Sequence, residues 1–203
     1  MTRNTKQCVI IDTDCANLNS VKFALLRLGA KVTISDKANI INNAERIILP
    51  GVGSAKAAMQ SLRNKNLVSV IQHLQQPVLG ICLGMQLLTT RSFEAGLDNE
   101  CLGILNTEIT ELNTNNQPSP HMGWNQMKPN SHPLFKNIPI NSYVYYVHSY
   151  RAPLSDLTLA TSEYGEKFSG AIGKNNFMGV QFHPEKSASI GSKILNNFLE
   201  LTL

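Results

Sequence analysis

The chain has 203 residues, 42% of them hydrophobic and 16% charged, with a formal net charge of +4. That length suffices for a substantial core within one domain, residues 1–203, and the composition demands no disordered region. The basic face of a nucleic-acid binder is excluded because no Lys/Arg cluster gathers the charge, although the basic balance suits an anionic partner or a phosphorylated substrate nearby.

The opening segment Met1-Thr2-Arg3-Asn4-Thr5-Lys6-Gln7 is polar and lacks the apolar run of a signal peptide. No stretch reaches the length of a membrane helix, so a soluble, reducing, cytoplasmic setting is expected. Cys8, Cys15, Cys82 and Cys101 contain no C-x-x-C pair, so neither zinc nor another cofactor is expected. Cys8 sits in an apolar run and reads as core.

From the N-terminus, Cys8 to Asp12 reads as a buried strand, and Leu18 to Leu28 as a helix with Val21, Leu25 and Leu28 on one face, ended by Gly29. Lys31 to Ile34 and Arg46 to Leu49 are further strands. Helical patterns at Ala55 to Leu62 and Leu67 to Leu74 precede an apolar strand at Pro77-Val78-Leu79. This alternation predicts a three-layer α/β fold around a parallel sheet, with ligands at the carboxyl ends of the strands.

That last strand runs into Gly80-Ile81-Cys82-Leu83-Gly84-Met85-Gln86, and Leu87-Leu88 begins to read as a helix. Glycines two residues before and after Cys82 give the spacing of a nucleophile elbow, in which larger side chains would collide with strand and helix. A thiol held there has the N–H of Leu83 available for an oxyanion, and a helix start that favours thiolate. A buried structural cysteine between glycines is the blander alternative, and the elbow needs a base.

Beyond Arg91 the periodicity shortens. Ile104 to Leu112, Tyr143 to Val147, Leu157 to Thr161, Phe168 to Gly173 and Phe177 to Phe182 are strand-like, which adds an antiparallel extension to a mixed, mostly parallel sheet. Ile190, Ile194, Leu195, Phe198 and Leu199 form a closing amphipathic helix. His121 and His132 lie near prolines and read as surface or turn residues. The strand ending at His183 supplies a base: Glu185 follows two residues later, and strand periodicity would put both side chains on one side. His183 then takes the thiol proton while Glu185 holds the ring. A solvated His and Glu at a strand end is the alternative.

The elbow Gly80 to Gln86 and the segment Gln181-Phe182-His183-Pro184-Glu185 resemble the two signatures of the class I, triad-type glutamine amidotransferases. Leu49-Pro50-Gly51-Val52-Gly53, His121-Met122-Gly123-Trp124-Asn125, Tyr146 to Arg151 and Lys186-Ser187 are similar to the branch that serves imidazole glycerol phosphate synthases. The resemblance implies a flavodoxin-like three-layer fold and hydrolysis of L-glutamine through Cys82, His183 and Glu185. It implies oxyanion contacts from Leu83 and from the Gly51-Val52 loop, whose peptide flips to complete the hole. Gln86, Glu94, Ser149 and Tyr150 would hold the glutamine. Asn17, Met122, Trp124, Tyr145 and Lys186 would face a separate (β/α)8-barrel cyclase subunit in a heterodimer, which uses the ammonia in histidine biosynthesis. The turn Thr13-Asp14-Cys15-Ala16 departs from the family's glycine-rich turn, with Asp14 a tolerable substitute. A glutaminase of another pathway, such as anthranilate or pyridoxal phosphate synthesis, and a catalytically silent regulatory subunit are the alternatives.

Overall fold

The computed structural model describes residues 6–14 and 18–202. Strands β1 (Gln7–Ile11), β2 (Lys31–Ser35), β3 (Arg46–Leu49) and β4 (Val78–Ile81) alternate with helices α1 (Leu18–Arg27), α2 (Ala38–Asn42), α3 (Ala55–Asn64) and α4 (Val68–Gln72). Every residue of β3 and β4 is buried, Arg46 included, which is why Ile47-Ile48-Leu49 and Val78-Leu79 read as apolar runs: both faces are covered. Alternate residues go to opposite cores. Ile10 and Ile48 pack with Val21 and Leu25 of α1, whereas Val9, Ile11, Ile47 and Leu49 pack with Met59 and Leu62 of α3. Helix α3 buries Ala55, Ala58, Met59 and Leu62 at helical spacing, and the Ser54 hydroxyl caps it by accepting from the Ala57 N–H at 3.3 Å.

After β4 the chain makes the short helix α5 (Leu83–Leu87) and strands β5 (Thr89–Ser92), β6 (Asn99–Glu100) and β7 (Leu105–Glu111). There follow β8 (His121–Pro129), β9 (Ser142–His148), β10 (Tyr150–Arg151), β11 (Thr158–Tyr164), β12 (Glu166–Lys174), β13 (Phe177–Val180) and helix α6 (Ala188–Glu200). The main sheet has nine strands in the order β2-β1-β3-β4-β13-β12-β11-β8-β9. It is parallel from β2 through β13 and antiparallel from β13 onward. The expected parallel core and antiparallel extension are both present. Ile194, Leu195 and Phe198 of α6 pack into the same core as α1, which completes the third layer.

Some elements differ from expectation. A second sheet, β10-β7-β5-β6, lies against the α3 side. Helix α5 begins directly after Cys82 and stops at Leu87, where the Thr89 hydroxyl donates to the Gln86 carbonyl at 2.7 Å and the β-branched Thr89-Thr90 pair turns into β5. Helix α2 and strand β8 have no counterpart in the sequence reading. Among the described residues no helix is long and apolar enough to cross a membrane.

Candidate active site

Cys82 stands at the carboxyl end of β4 with φ 53° and ψ −111°, a backbone conformation that a non-glycine residue occupies only under strain. Steric closeness enforces it. A Cβ on Gly80 would come within 2.6 Å of the Gly84 carbonyl oxygen, and one on Gly84 within 1.8 Å of the Leu49 carbonyl oxygen at the end of β3. Gly51 is pressed on the same spot: its Cβ would lie 2.8 Å from that of Leu83 and 2.9 Å from the Gly84 nitrogen. The elbow and the loop after β3 therefore fit together only because all three positions lack side chains. The Cys82 N–H is anchored to the Val180 carbonyl of β13 at 2.8 Å, which ties the nucleophile's strand to the one that leads to His183.

His183 and Glu185 meet as expected, but by a different device. Strand β13 ends at Val180, and Pro184 opens a 3-10 turn at Pro184–Lys186, so a turn rather than strand alternation brings the side chains together. The His183 Nδ1–H donates to Glu185 Oε1 at 2.9 Å, and the two side chains are 8% and 2% exposed. The His183 N–H donates to the Tyr145 carbonyl at 2.8 Å, and Ser187 Oγ donates to the His183 carbonyl at 2.6 Å. With Nδ1 engaged, Nε2 is the nitrogen left for Cys82. Burial pushes the His183 pKa down, but hydrogen bonds to Cys82 and Glu185 and their negative charges outweigh it and raise it to about 10. The imidazole is held in its protonated form beside Cys82.

Around Cys82 lies a cavity of about 300 Å³ lined by Leu83, Gln86, His183, Val52, Gly53, Glu94, His148, Ser149 and Tyr150. The structure brings Leu83, Gln86, Glu94, Ser149 and Tyr150 together with Cys82 and His183 around this one cavity. Gly51 lies behind the wall, while Val52, 36% exposed, and Gly53, with φ +89°, form the rim. Glu94 Oε2 also accepts from the Ala55 N–H at 2.6 Å, capping α3, and the Tyr150 hydroxyl accepts from the Ala95 N–H at 2.9 Å. A groove of about 970 Å³ along β8 and β11 is larger, but Cys82 and His183 are not part of it.

Gln181 is a site residue that the sequence reading quoted without assigning a role. Fully buried, it accepts from Gln86 Nε2 at 3.0 Å and presents its own Nε2 to Cys82 Sγ at 3.8 Å. Its position two residues before His183 was the available signal. Sγ also lies 3.7 Å from the Val147 carbonyl. The other described cysteines are poor nucleophiles: burial pushes Cys8 up to about 12 and Cys101 up to about 11.

His121 corrects the sequence reading. It opens β8 at 3% exposure, stacked between Tyr146 and Tyr164, whose ring centroids lie 4.8 and 4.1 Å away. His132 does lie in a turn, where its Nδ1 accepts from the Leu134 N–H at 3.2 Å. Asp14 adopts φ 57°, as a glycine substitute must. Asp12 Oδ1 accepts from its N–H, and Lys65 and Ser61 each donate to its carboxylate at 2.6 Å, holding its pKa below the usual range. Met122 and Trp124 are 62% and 52% exposed. Trp124 packs edge-on to Tyr145 at 5.9 Å, and the Lys186 ammonium lies 6.0 Å from the Tyr145 ring. Asn17, Cys15 and Ala16 lie outside the described residues. Among the described residues no group of three or more His, Cys, Asp or Glu side chains could hold a metal.

The family model described as glutamine amidotransferase class-I matches residues 9–201. The chain is 60% identical to the imidazole glycerol phosphate synthase subunit HisH of Shewanella sediminis, over 99% of this chain and 94% of that one. It is 47% identical to the subunit of the same name from Vibrio cholerae, over 97% and 100%. Among solved structures, a glutamine amidotransferase superposes with TM-score 0.72 at 16% identity, covering 95% of this chain and 97% of the other. A PurLQS structure from Thermotoga maritima gives the same score and identity over 96% and 98%. At that identity the structural likeness concerns the fold.

Proposed function

The chain belongs to the class-I glutamine amidotransferase family, and from that membership we propose that it is the glutaminase subunit of an imidazole glycerol phosphate synthase, folded as a single domain. The observation that carries the chemistry is the strained Cys82 beside the buried His183–Glu185 pair. The Cys82 thiolate attacks the side-chain carboxamide carbon of L-glutamine, and the resulting oxyanion is received by the N–H groups of Leu83 and the Gly51-Val52 loop. His183 gives its proton to the nitrogen as the C–N bond breaks and ammonia leaves, so a thioester remains on Cys82. His183 then takes a proton from water, whose oxygen attacks the thioester. The C–S bond breaks and glutamate departs. Glu185 keeps Nδ1 protonated, and thus Nε2 aimed at the reacting atoms, throughout. Gln86, Glu94, Ser149 and Tyr150 hold the amino-acid end of the substrate in the cavity.

The ammonia is consumed by a separate subunit. We read that partner as a (β/α)8-barrel cyclase that docks on the face carrying Met122, Trp124, Tyr145 and Lys186, with Asn17 alongside, in a heterodimer in the cytoplasm. Its products are imidazole glycerol phosphate and an aminoimidazole carboxamide ribonucleotide. Replacing Cys82 with Ala tests this reading: glutamine-dependent synthesis by the complex falls by on the order of 10⁴–10⁶, while synthesis from added ammonium persists. Loss of both activities in an assembled complex would contradict it.

A further inference from the structure

The pair His121–His148 occupies the space between the active-site cavity and the groove along β8, and no step of the proposed chemistry uses it. His121 Nδ1 and His148 Nε2 are 2.9 Å apart, with the side chains 3% and 6% exposed. Two imidazoles can hydrogen-bond in either direction, but here the backbone decides. The Gln126 N–H donates to Asn125 Oδ1 at 2.7 Å, and Asn125 Nδ2 donates to the Glu163 carbonyl at 2.8 Å, which fixes the orientation of that amide. The same Nδ2 faces His121 Nε2 at 3.2 Å, so Nε2 must accept. His121 Nδ1 therefore carries the hydrogen and donates to His148 Nε2. His148 then holds its own hydrogen on Nδ1 and donates to the Tyr150 carbonyl at 2.8 Å.

Every member of this chain has one permitted state, and the chain ends on a substrate-binding segment. The Tyr150 carbonyl also accepts from Gln86 Nε2 at 3.3 Å, and Gln86 donates in turn to Gln181, which faces the thiol. We propose that His121 and His148 are a positioning pair that fixes the Ser149–Tyr150 segment where it grips the amino-acid end of the substrate. The inference rests on the glutaminase reading above. Burial keeps both rings neutral, with His121 lowered to about 4 and His148 to about 3, the latter also disfavoured by the charge of His183. Neutrality suits the role, because a second proton on His148 Nε2 would face the hydrogen that His121 donates. The hydrogen-bond bookkeeping also explains why a residue inside the aromatic stack is histidine: Phe would fill it, but only an imidazole both accepts from Asn125 and donates to His148.

The test compares His121→Phe with His121→Asn, each assembled with the synthase partner. Phe keeps the ring between Tyr146 and Tyr164 but removes the donor. Asn carries an amide nitrogen on Cγ, where Nδ1 stood, and restores it. The expected result is that H121F raises KM for glutamine about tenfold with a smaller change in kcat, H121N recovers most of it, and ammonium-dependent synthesis is unchanged in both. Asn125→Ala, at a half-buried position, serves if H121F does not fold, and is expected to raise KM about threefold. A folded H121F with unchanged KM, an H121N that does not rescue, or a parallel fall in ammonium-dependent synthesis would overturn the proposal. A wild-type complex that turns over no glutamine would overturn the glutaminase reading itself, and is told apart because wild type and variants would then be equally silent.

Discussion

Strands β3 and β4 on one side of the main sheet, and β8 and β9 on the other, show how differently two halves of one fold can be constrained. In β3 and β4 every position is buried, and the loops that leave them are packed so closely that Gly51, Gly80 and Gly84 admit no Cβ. In β8 and β9 burial alternates, and the outward positions carry Met122, Trp124 and Tyr143 at half exposure or more. The chemistry sits where the halves join: Cys82 follows β4, His183 follows β13, and these neighbouring strands pair in parallel next to the first antiparallel pairing. The tightly packed half fixes the nucleophile. The alternating half leaves residues free to meet substrate and partner.

That contrast can be tested with one substitution on each side. Gly84→Ala places a methyl group 1.8 Å from the Leu49 carbonyl oxygen, so the elbow must open. A loss of about 3 kcal/mol of stability is expected, together with most glutamine turnover. Urea unfolding checks it, and a neutral result would mean that the elbow is not held by contact with β3. Trp124→Ala should leave stability within about 0.5 kcal/mol of wild type and weaken partner binding by about 2 kcal/mol, because a half-exposed aromatic has little core to lose and much interface to give. Calorimetric titration against the partner separates the two. A stability loss at Trp124 as large as at Gly84 would erase the distinction between the halves.

A smaller effect is expected at the seam, as a function of pH. The folded-state pKa of His183 is raised from 6.5 to about 10, so the stability carried by the protonated ring is fully present below pH 6.5 and is lost as pH climbs toward 10. Glu185→Gln removes one of the two partners that raise it. Wild type should therefore lose more stability than E185Q between pH 7 and pH 10 in urea titrations, and equal losses would show that the carboxylate does not hold the proton.

The sequence was legible where burial is complete. The strand read at Arg46–Leu49, from the apolar Ile47-Ile48-Leu49, matches β3 residue for residue, and the glycine spacing around Cys82 announces a turn that proves to be sterically obligatory. It was opaque where the usual pattern is inverted. Strand β8 turns Met122 and Trp124 outward and draws His121 and Asn125 into hydrogen bonds behind them, so a reader looking for apolar residues facing in finds no strand there. The His121–His148 pair was hidden for the same reason, since its partners come together only through the register of β8 with β9. Glu185 was found by spacing, yet its approach to His183 depends on a turn set by Pro184 rather than on strand geometry.

The central claim is that Cys82 is the residue that takes the acyl group. Acid quenching of the complete synthase during turnover of L-glutamine, followed by peptide mass spectrometry, tests it directly. A glutamyl thioester on Cys82, and on none of Cys8, Cys15 or Cys101, is the predicted result, since Cys8 and Cys101 are buried with raised pKa values and, among the described cysteines, only Cys82 faces His183 across the cavity. An adduct on another cysteine, or none on Cys82 in an actively turning-over sample, would contradict the account.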